Sequence, residues 1–245
     1  TWTATAEAGS TAEAGSTRRG AAAVPELPEV RAHAERLDRD VAGSTLVGFR
    51  PLSFTALKTA TPAPEVAHDH PLAFVGQRGK HLLLDFGVAT FVIHLMQGGR
   101  LRPDPKQSAR PRGGIARWRF EDSALLLTEA GTERRAGVWV VSGDPEAHPP
   151  LEGLGPEADS LTADALHVLL RADVTDDGEE DGGGGRRSGR RLHGFLRDQR
   201  VIAGVGRRLA NEVCHRAALS PFAPVGRLDL DDATRLVEAI GACIA

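Results

Sequence analysis

Helical spacing of apolar residues begins just after a proline-rich stretch. The residues between these apolar positions are mostly charged, which is typical of an amphipathic helix with one buried face. The buried face is formed by Val30, Ala34, Leu37 and Val41. The pattern therefore predicts a helix that starts at Pro28 and packs against a neighbouring layer.

The pattern then changes to short apolar runs with alternation, bounded by glycine, proline and polar residues. Such runs at regular spacing predict the strands of an antiparallel β-sandwich. The predicted strands cover residues 46–49, 72–75, 81–86, 91–96, 115–120, 125–128 and 138–141. We assign residues 25–141 to this β-sandwich domain, with the first helix beside it.

Helical spacing returns in the second half of the chain. Residues 142–160 contain four prolines and are interpreted as a linker. Thr162 is a good N-cap for a short helix that ends at Leu170. Two longer helices are predicted over residues 207–217 and from residue 231 onward, so residues 161–245 read as an all-helical domain.

Two segments lack the apolar residues that a core requires. Residues 1–24 consist mainly of Ala, Gly, Ser, Thr and Glu, and residues 173–191 are acidic and rich in glycine before they turn basic. Segments of this composition bury too little apolar surface to fold. We predict a disordered N-terminal extension and a disordered insertion.

Composition narrows the function classes. The net charge of the 245 residues is -3, which argues weakly against a nucleic-acid partner, but arginines concentrate between residues 186 and 216 and form a local basic region. Cys214 and Cys243 lie far apart and indicate neither a disulfide framework nor a zinc site. Because no apolar run is long enough for a membrane span and no signal peptide is recognisable, we expect a cytoplasmic protein.

Pro25 has a special chemistry if it stands at the start of a chain. A free α-amino group has a pKa of about 7.7–8.0, so an N-terminal proline is substantially unprotonated near neutral pH. Such an amine can act as a covalent nucleophile. The alternative is that Pro25 and Pro28 only introduce the first helix, where proline is favoured.

Four stretches resemble, in order, the formamidopyrimidine-DNA glycosylase and endonuclease VIII family of base-excision-repair enzymes. They are residues 25–30, 76–80, 94–101 and 196–221. The resemblance implies a DNA glycosylase with abasic-site (AP) lyase activity, built from a β-sandwich and a helix-two-turn-helix domain with DNA in the cleft between them. A base inside a duplex is out of reach, so the damaged nucleotide must be flipped out.

The resemblance implies catalytic roles for three residues. Pro25 would attack C1′ of the flipped nucleotide and form an iminium, while Glu26 would move protons to and from the sugar. Lys80 would bind the phosphate beside the lesion and act as an acid in the elimination that cuts the strand. Outside this context, Lys80 would read as a solvated lysine at a strand edge.

The resemblance also implies DNA contacts. Glu29 would lie beside the flipped base, and a side chain from the loop after His94 would fill the hole that the nucleotide leaves. The Gly-x-Gly turn at residues 204–206 would bring a phosphate to backbone N–H groups at a helix N-terminus. The candidate ligands are Glu29, His94, Met96, Gln97, Arg135 and Arg207.

This chain departs from the family pattern at several of these positions. Met96 lies two residues after His94, whereas the glycosylase branch has its methionine at the third residue, where Gln97 stands here. Ala136 replaces the family's intercalating phenylalanine, and Arg207 replaces an asparagine. The family's C-terminal zinc finger has no counterpart among these residues, so no zinc or other cofactor is predicted.

The position of Pro25 within the sequence bears on its chemistry, because the nitrogen of an amide bond has no nucleophilic lone pair. We therefore expect Val24 to mark the true start, removed to expose Pro25. One alternative is a catalytically inactive protein of the same fold that binds damaged DNA, and another is an RNA-binding module. The expected partner is damaged double-stranded DNA, bound by a monomer without a membrane, and the lesion that is removed stays open.

Overall fold

The computed structural model describes residues 24–131, 134–175 and 189–245. Its N-terminal part is built from two four-stranded antiparallel sheets with strand orders β1-β6-β7-β5 and β2-β3-β4-β8. The strands are β1 Leu46–Pro51, β2 Phe74–Arg78, β3 His81–Asp85, β4 Thr90–His94, β5 Gly99–Pro103, β6 Gly114–Phe120, β7 Ala124–Glu129 and β8 Gly137–Val141. The helices are α1 Leu27–Val41, α2 Ala163–Thr175, α3 Leu192–Arg197, α4 Arg207–Arg216 and α5 Leu230–Ile244. The prediction of a β-sandwich followed by a helical region is confirmed.

Local chemistry fixes the start of α1. Glu26 is the N-cap residue, and a reciprocal capping box joins it to Glu29, whose side chain accepts a hydrogen bond from the Glu26 N–H at 3.1 Å. Pro28 lies in the first turn, where its missing N–H costs nothing. The buried face contains all four residues that the spacing identified, with Leu27 in addition. This face packs against β2.

Aromatic rings fill the space between the two sheets. Phe91 of β4 and Trp118 of β6 are fully buried, with ring centroids 5.9 Å apart, and Phe49 of β1 lies between them at 5.2 and 5.1 Å. Edge-to-face contacts of this kind add to the free energy gained from burial. The space between the two sheets is therefore a well-packed core, which can fix the positions of the residues at the edges of the sheets.

A second hydrophobic cluster joins the helices. It includes Leu166, Phe195, Leu209 and Leu236 from α2, α3, α4 and α5 respectively. Leu27 of α1 also belongs to this cluster, although the rest of the α1 face packs into the sandwich core. The first turn of α1 thus contacts the helices while its later turns contact the sheets.

The structure differs from the sequence-based prediction in three places. Strand β5 was not predicted, because Arg100 and Arg102 flank a single apolar residue, Leu101, in a strand of only five residues. Helix α2 continues past Leu170 to Thr175. At the other end of the predicted insertion, the Arg190 carbonyl accepts a hydrogen bond from Val225 N at 3.0 Å, so the insertion does not extend to residue 191. Residues 1–23 and 176–188 lie outside the described residues.

Candidate active site

The start of α1 lines an open cleft. Pro25 is half-buried and forms part of the wall, together with Glu29 and His33 from α1 and Arg100 and Arg102 from β5. The cleft has a volume of about 610 Å³. The predicted nucleophile therefore faces a space of the size that small-molecule sites occupy.

Glu26 is buried and caps a distant helix. Its side chain is only 3 % exposed. Its carboxylate accepts hydrogen bonds from three N–H groups at the start of α4: Gly206 at 3.2 Å, Arg208 at 3.0 Å and Leu209 at 2.8 Å. These groups carry the positive end of the helix dipole, which stabilises a carboxylate there.

This arrangement corrects the prediction for the Gly-x-Gly turn. We expected the N–H groups at the start of α4 to be available to a DNA phosphate, but three of them are used by Glu26. A glycine is still required at position 206, because a Cβ there would lie 2.3 Å from the Glu26 carboxylate carbon. The turn accommodates a protein carboxylate next to Pro25.

Glu29 lines the cleft but is already bonded. One carboxylate oxygen accepts the Glu26 N–H, and the other forms an ion pair with Arg208 of α4. Both members of this pair are about half exposed, so water weakens their attraction. Glu29 therefore lines the cleft while it also holds α1 to α4.

Lys80 occupies the two-residue turn between β2 and β3, after Gly79 with φ of 55°. Burial lowers the pKa of Lys80, the negative charge of Glu26 opposes that shift, and the positive charge of Arg197 adds to it. The lysine predicted for the elimination step is therefore half-buried and lies within the electric field of Glu26.

A buried clamp holds the turn that carries Lys80. Arg78 donates hydrogen bonds to Glu157 at 2.8 Å and to the Gly155 carbonyl at 2.8 Å. The Gly79 N–H donates to the same Glu157 oxygen at 2.6 Å. The sequence assigns Glu157 only to the linker, because no local pattern indicates a partner 78 residues away.

His94 does not provide the positive charge expected of a phosphate ligand. Its Nδ1 accepts a hydrogen bond from Met96 N at 3.0 Å, and its ring meets the edge of His81 with centroids 4.7 Å apart. Burial, with the nearby charge of Lys80, lowers the pKa of His94 to about 4. The ring is neutral near pH 7 with its proton on Nε2, so a phosphate contact would be a single neutral hydrogen bond.

The two wedge candidates lie in one turn between β4 and β5. The Gly99 N–H closes this turn by donating to the Leu95 carbonyl at 2.8 Å. Met96 is half-buried with φ of 51°, a left-handed conformation that is unusual for a methionine, whereas Gln97 is exposed. Gln97 is therefore the side chain that the turn presents outward.

Glu129 anchors the segment that contains Arg135 and Ala136. Its carboxylate accepts hydrogen bonds from Arg135 N at 2.6 Å and Ala136 N at 2.7 Å. Arg135 is exposed, but Ala136 is 2 % exposed and belongs to the sandwich core. The side chain at position 136 points into the core, so this position does not offer a wedge. Thr132 and Glu133 lie outside the described residues.

Arg207 is the first residue of α4, and its side chain is exposed. It follows directly after Gly206, whose N–H is bound by Glu26. Arg208, which the sequence did not single out, is the residue that connects α4 to Glu29. Arg207 is therefore exposed next to the Glu26 cap, whereas Arg208 forms an ion pair with Glu29 of α1.

Comparison with known proteins identifies the relatives of this chain. Residues 24–138 match the formamidopyrimidine-DNA glycosylase N-terminal domain. The chain is 32 % identical over 225 residues to the formamidopyrimidine-DNA glycosylase of Methylococcus capsulatus, covering 91 % of this chain and 77 % of the relative. It is 30 % identical over 239 residues to the enzyme of Bordetella avium, with the same coverage. This chain belongs to the formamidopyrimidine-DNA glycosylase family.

Solved structures of formamidopyrimidine-DNA glycosylases have the same fold. The MutM (Fpg) protein of Thermus thermophilus is 30 % identical, with a TM-score of 0.71 over 89 % of this chain and 74 % of that chain. The Lactococcus lactis protein, bound non-covalently to DNA that contains an AP site, is 20 % identical with a TM-score of 0.72, over 89 % and 81 % of the two chains. The family assignment made from four short stretches is confirmed, and with it the class of DNA-repair glycosylases.

The described residues offer no ligand set for the zinc finger known in this family. Within residues 24–131, 134–175 and 189–245, no group of three or more His, Cys, Asp or Glu side chains could hold a metal ion. Cys214 is buried in α4, where burial raises the pKa of its thiol to about 11 and disfavours the thiolate that metals bind. These residues do not fit a zinc centre. None of the described helices is long and apolar enough to cross a bilayer.

Proposed function

We propose that this protein is a base-excision-repair DNA glycosylase with abasic-site lyase activity that uses the amine of Pro25. One observation carries the proposal: the residue next to Pro25 is a buried carboxylate that joins α1 to α4, and the half-buried Lys80 lies in the field of that carboxylate. Binding alone requires no lysine with a lowered pKa beside a carboxylate and a proline. A lysine whose pKa is lowered by burial and that lies in the field of a carboxylate is a candidate for a catalytic role.

The proposed reaction starts with the unprotonated Pro25 nitrogen. Its lone pair forms a bond to C1′ of a flipped nucleotide while the bond from C1′ to the base breaks, and the base leaves with a proton. The nitrogen then loses its own proton, and its lone pair forms a second bond to C1′ as the C1′–O4′ bond of the sugar breaks and O4′ takes up a proton. The product is a ring-opened iminium. Loss of a C2′ proton then drives cleavage of the C3′–O bond, which cuts the strand.

Two side chains have distinct roles in this scheme. Glu26 holds the α4 N-terminus against the nucleophile, and in this scheme its carboxylate exchanges protons with the sugar. Lys80 binds the phosphate beside the lesion and protonates the leaving oxygen. A lowered pKa suits this role, because a general acid works best when its pKa lies close to the working pH.

The scheme requires a secondary amine at Pro25, so the active form begins at that residue. The relatives named above support DNA as the partner, since they are formamidopyrimidine-DNA glycosylases and one of them has been seen with DNA containing an AP site. Arg135, Arg207 and the Nε2–H of His94 are the proposed phosphate ligands, and Gln97 is the proposed wedge. Damaged duplex DNA is the proposed substrate.

Strand incision at a single abasic site in a duplex tests the proposal. A chain that begins at Pro25 should cut the strand, and its Lys80→Met variant should cut at least about 100-fold more slowly, as expected for the loss of a general acid. Lys58→Met, at an exposed lysine that is not among the residues lining the cleft, should cut at the wild-type rate. Tight binding by the wild-type chain without incision would instead favour the inactive DNA-binding protein.

A further inference from the structure

A strongly basic segment lies outside the catalytic residues. Residues 100–119 contain seven lysine or arginine residues and a single carboxylate, Asp104, within a chain whose net charge is -3. Asp104 is 8 % exposed and pairs with the buried Arg117 at 2.7 Å. The single negative charge of the segment is therefore neutralised inside the protein, and the remaining cations lie at the surface.

The register of the first sheet lines up three of its arginines. Arg102 of β5 lies opposite Leu126 of β7, Leu126 lies opposite Arg117 of β6, and Arg117 lies opposite Arg50 of β1. Residues directly opposite each other point to the same face of a sheet. This face is the outer one, because the neighbouring pair of Phe49 and Trp118 points into the sandwich core.

The exposed arginines of the row gain no ion pair from the sheet. Arg50 lies opposite Arg117, whose charge is already balanced by Asp104. Arg50, Arg102 and Arg119 are exposed, and in the part of the chain that the structure describes they form no ion pair. These exposed arginines therefore contribute no ion pairs among the described residues to the stability of the fold. Binding of an anionic partner would explain why these arginines lie together.

The row begins at the proposed active site. Arg102 lines the same cleft as Pro25, and at the other end Arg50 and Arg119 line a groove of about 350 Å³ whose floor is Gly48 and Arg117. With neighbouring strands about 4.8 Å apart, the row spans about 14 Å from β5 to β1. One DNA strand covers that length in about four nucleotides, at about 3.4 Å each.

We propose that Arg102, Arg50 and Arg119 form a phosphate track that carries the duplex flanking the lesion across the outer face of this sheet. The inference rests on the proposed function, because it takes DNA in the Pro25 cleft as its starting point. Arg117 is held by Asp104 and by the Ser108 carbonyl at 2.7 Å, so its charge is balanced and it makes no phosphate contact. The three exposed arginines make the contacts, without reading sequence.

Salt dependence on duplexes of two lengths tests the track. The double variant Arg50→Gln/Arg119→Gln removes two proposed contacts at exposed positions, and both duplexes carry a stable abasic-site analogue. The short duplex ends about two base pairs from the lesion on the side that would cross the sheet, about 7 Å, and therefore stops before Arg50 and Arg119, whereas the long duplex extends about 15 base pairs to each side of the lesion, well past the four nucleotides of the track. Each phosphate contact contributes about 0.9 to the slope of log affinity against log salt.

We expect the double variant to reduce the slope on the long duplex by about 2 and to leave the slope on the short duplex unchanged. The matched control Arg39→Gln/Arg171→Gln removes two exposed charges elsewhere and should behave as wild type on both. An unchanged slope on the long duplex, an equal drop on both duplexes, or an equal drop in the control would each overturn the track. Incision of the short duplex, measured alongside, reports on the proposed function independently of these slopes.

Discussion

At the scale of single residues, Glu26 shows what the sequence could and could not indicate. Its position after Pro25 was sufficient to select it as a catalytic candidate. Its three hydrogen-bond donors lie 180 residues or more along the chain, so only the tertiary structure reveals that it also caps α4. The same holds for Ala136, because no local sequence pattern predicts that it is buried in the core.

Gly206→Ala should destabilise the protein because it removes the space that Glu26 occupies. A Cβ at this position would lie 2.3 Å from the Glu26 carboxylate, so the cap must break and leave buried polar groups without partners. We expect a loss of about 2–4 kcal/mol in the free energy of unfolding, measured by chemical denaturation.

Gly194→Ala is the matched control for that substitution. Gly194 lies in α3, and a Cβ there would meet nothing within 4 Å. An alanine in a helix is favoured over glycine by up to about 1 kcal/mol, so this variant should be as stable as wild type or more stable. Equal effects of the two substitutions would contradict the role of Gly206 in the Glu26 cap.

At the scale of elements, periodicity located what is long and strongly patterned. Helix α1 and its buried face followed from spacing alone, as did seven of the eight strands, because one face of each is buried. Strand β5 escaped, since two of its five residues are exposed arginines and its pairing with β7 supplies the order that its composition does not. Short edge strands depend on their neighbours more than on their own sequence.

The contact between β3 and β4 should make the fold sensitive to acid. Burial lowers the pKa of His81 to about 3 and that of His94 to about 4, both from 6.5. In the unfolded chain both rings take up protons near pH 6.5, whereas in the folded protein they take up protons only near pH 3 and pH 4. Stability from the pair is therefore fully present above pH 6.5 and is lost as the pH falls toward 4.

His81→Phe should make this acid loss shallower, because one of the two buried groups no longer titrates. With each pKa unit equivalent to about 1.4 kcal/mol, the difference in unfolding free energy between wild type and variant should change by about 2 kcal/mol between pH 7 and pH 4.5, in favour of the variant. Denaturant titrations at the two pH values measure it. Parallel pH profiles would contradict a buried neutral His81.

At the scale of the whole molecule, the two hydrophobic clusters are joined by a few polar contacts. Glu26 binds α4, and Arg78 binds Glu157 and Gly155 after the sandwich ends. The linker composition predicted where the chain leaves the sheets, but not that Glu157 returns to the turn holding Lys80. Contacts between residues so distant in sequence cannot be predicted from the local pattern of apolar and polar residues.

Arg78→Lys should loosen this connection. The guanidinium contacts Glu157, Glu146 and two carbonyls at once, a fork that a lysine ammonium does not reproduce. We expect a loss of about 1–3 kcal/mol in unfolding free energy, and a slower incision rate because the Lys80 turn is less firmly held. Arg39→Lys, at an exposed position of α1, should change neither quantity, and an equally mild effect of both substitutions would argue against the clamp.

The central claim is that the Pro25 nitrogen bonds covalently to DNA, and borohydride trapping followed by mass mapping tests it most directly. A chain that begins at Pro25 is mixed with a duplex containing one abasic site, beside the same chain with its 24 preceding residues. The account predicts a reduced crosslink from the shorter chain that maps to Pro25, and none from the longer one, whose proline nitrogen is an amide. A crosslink that maps to a lysine, or binding of the shorter chain without any crosslink, would contradict the account.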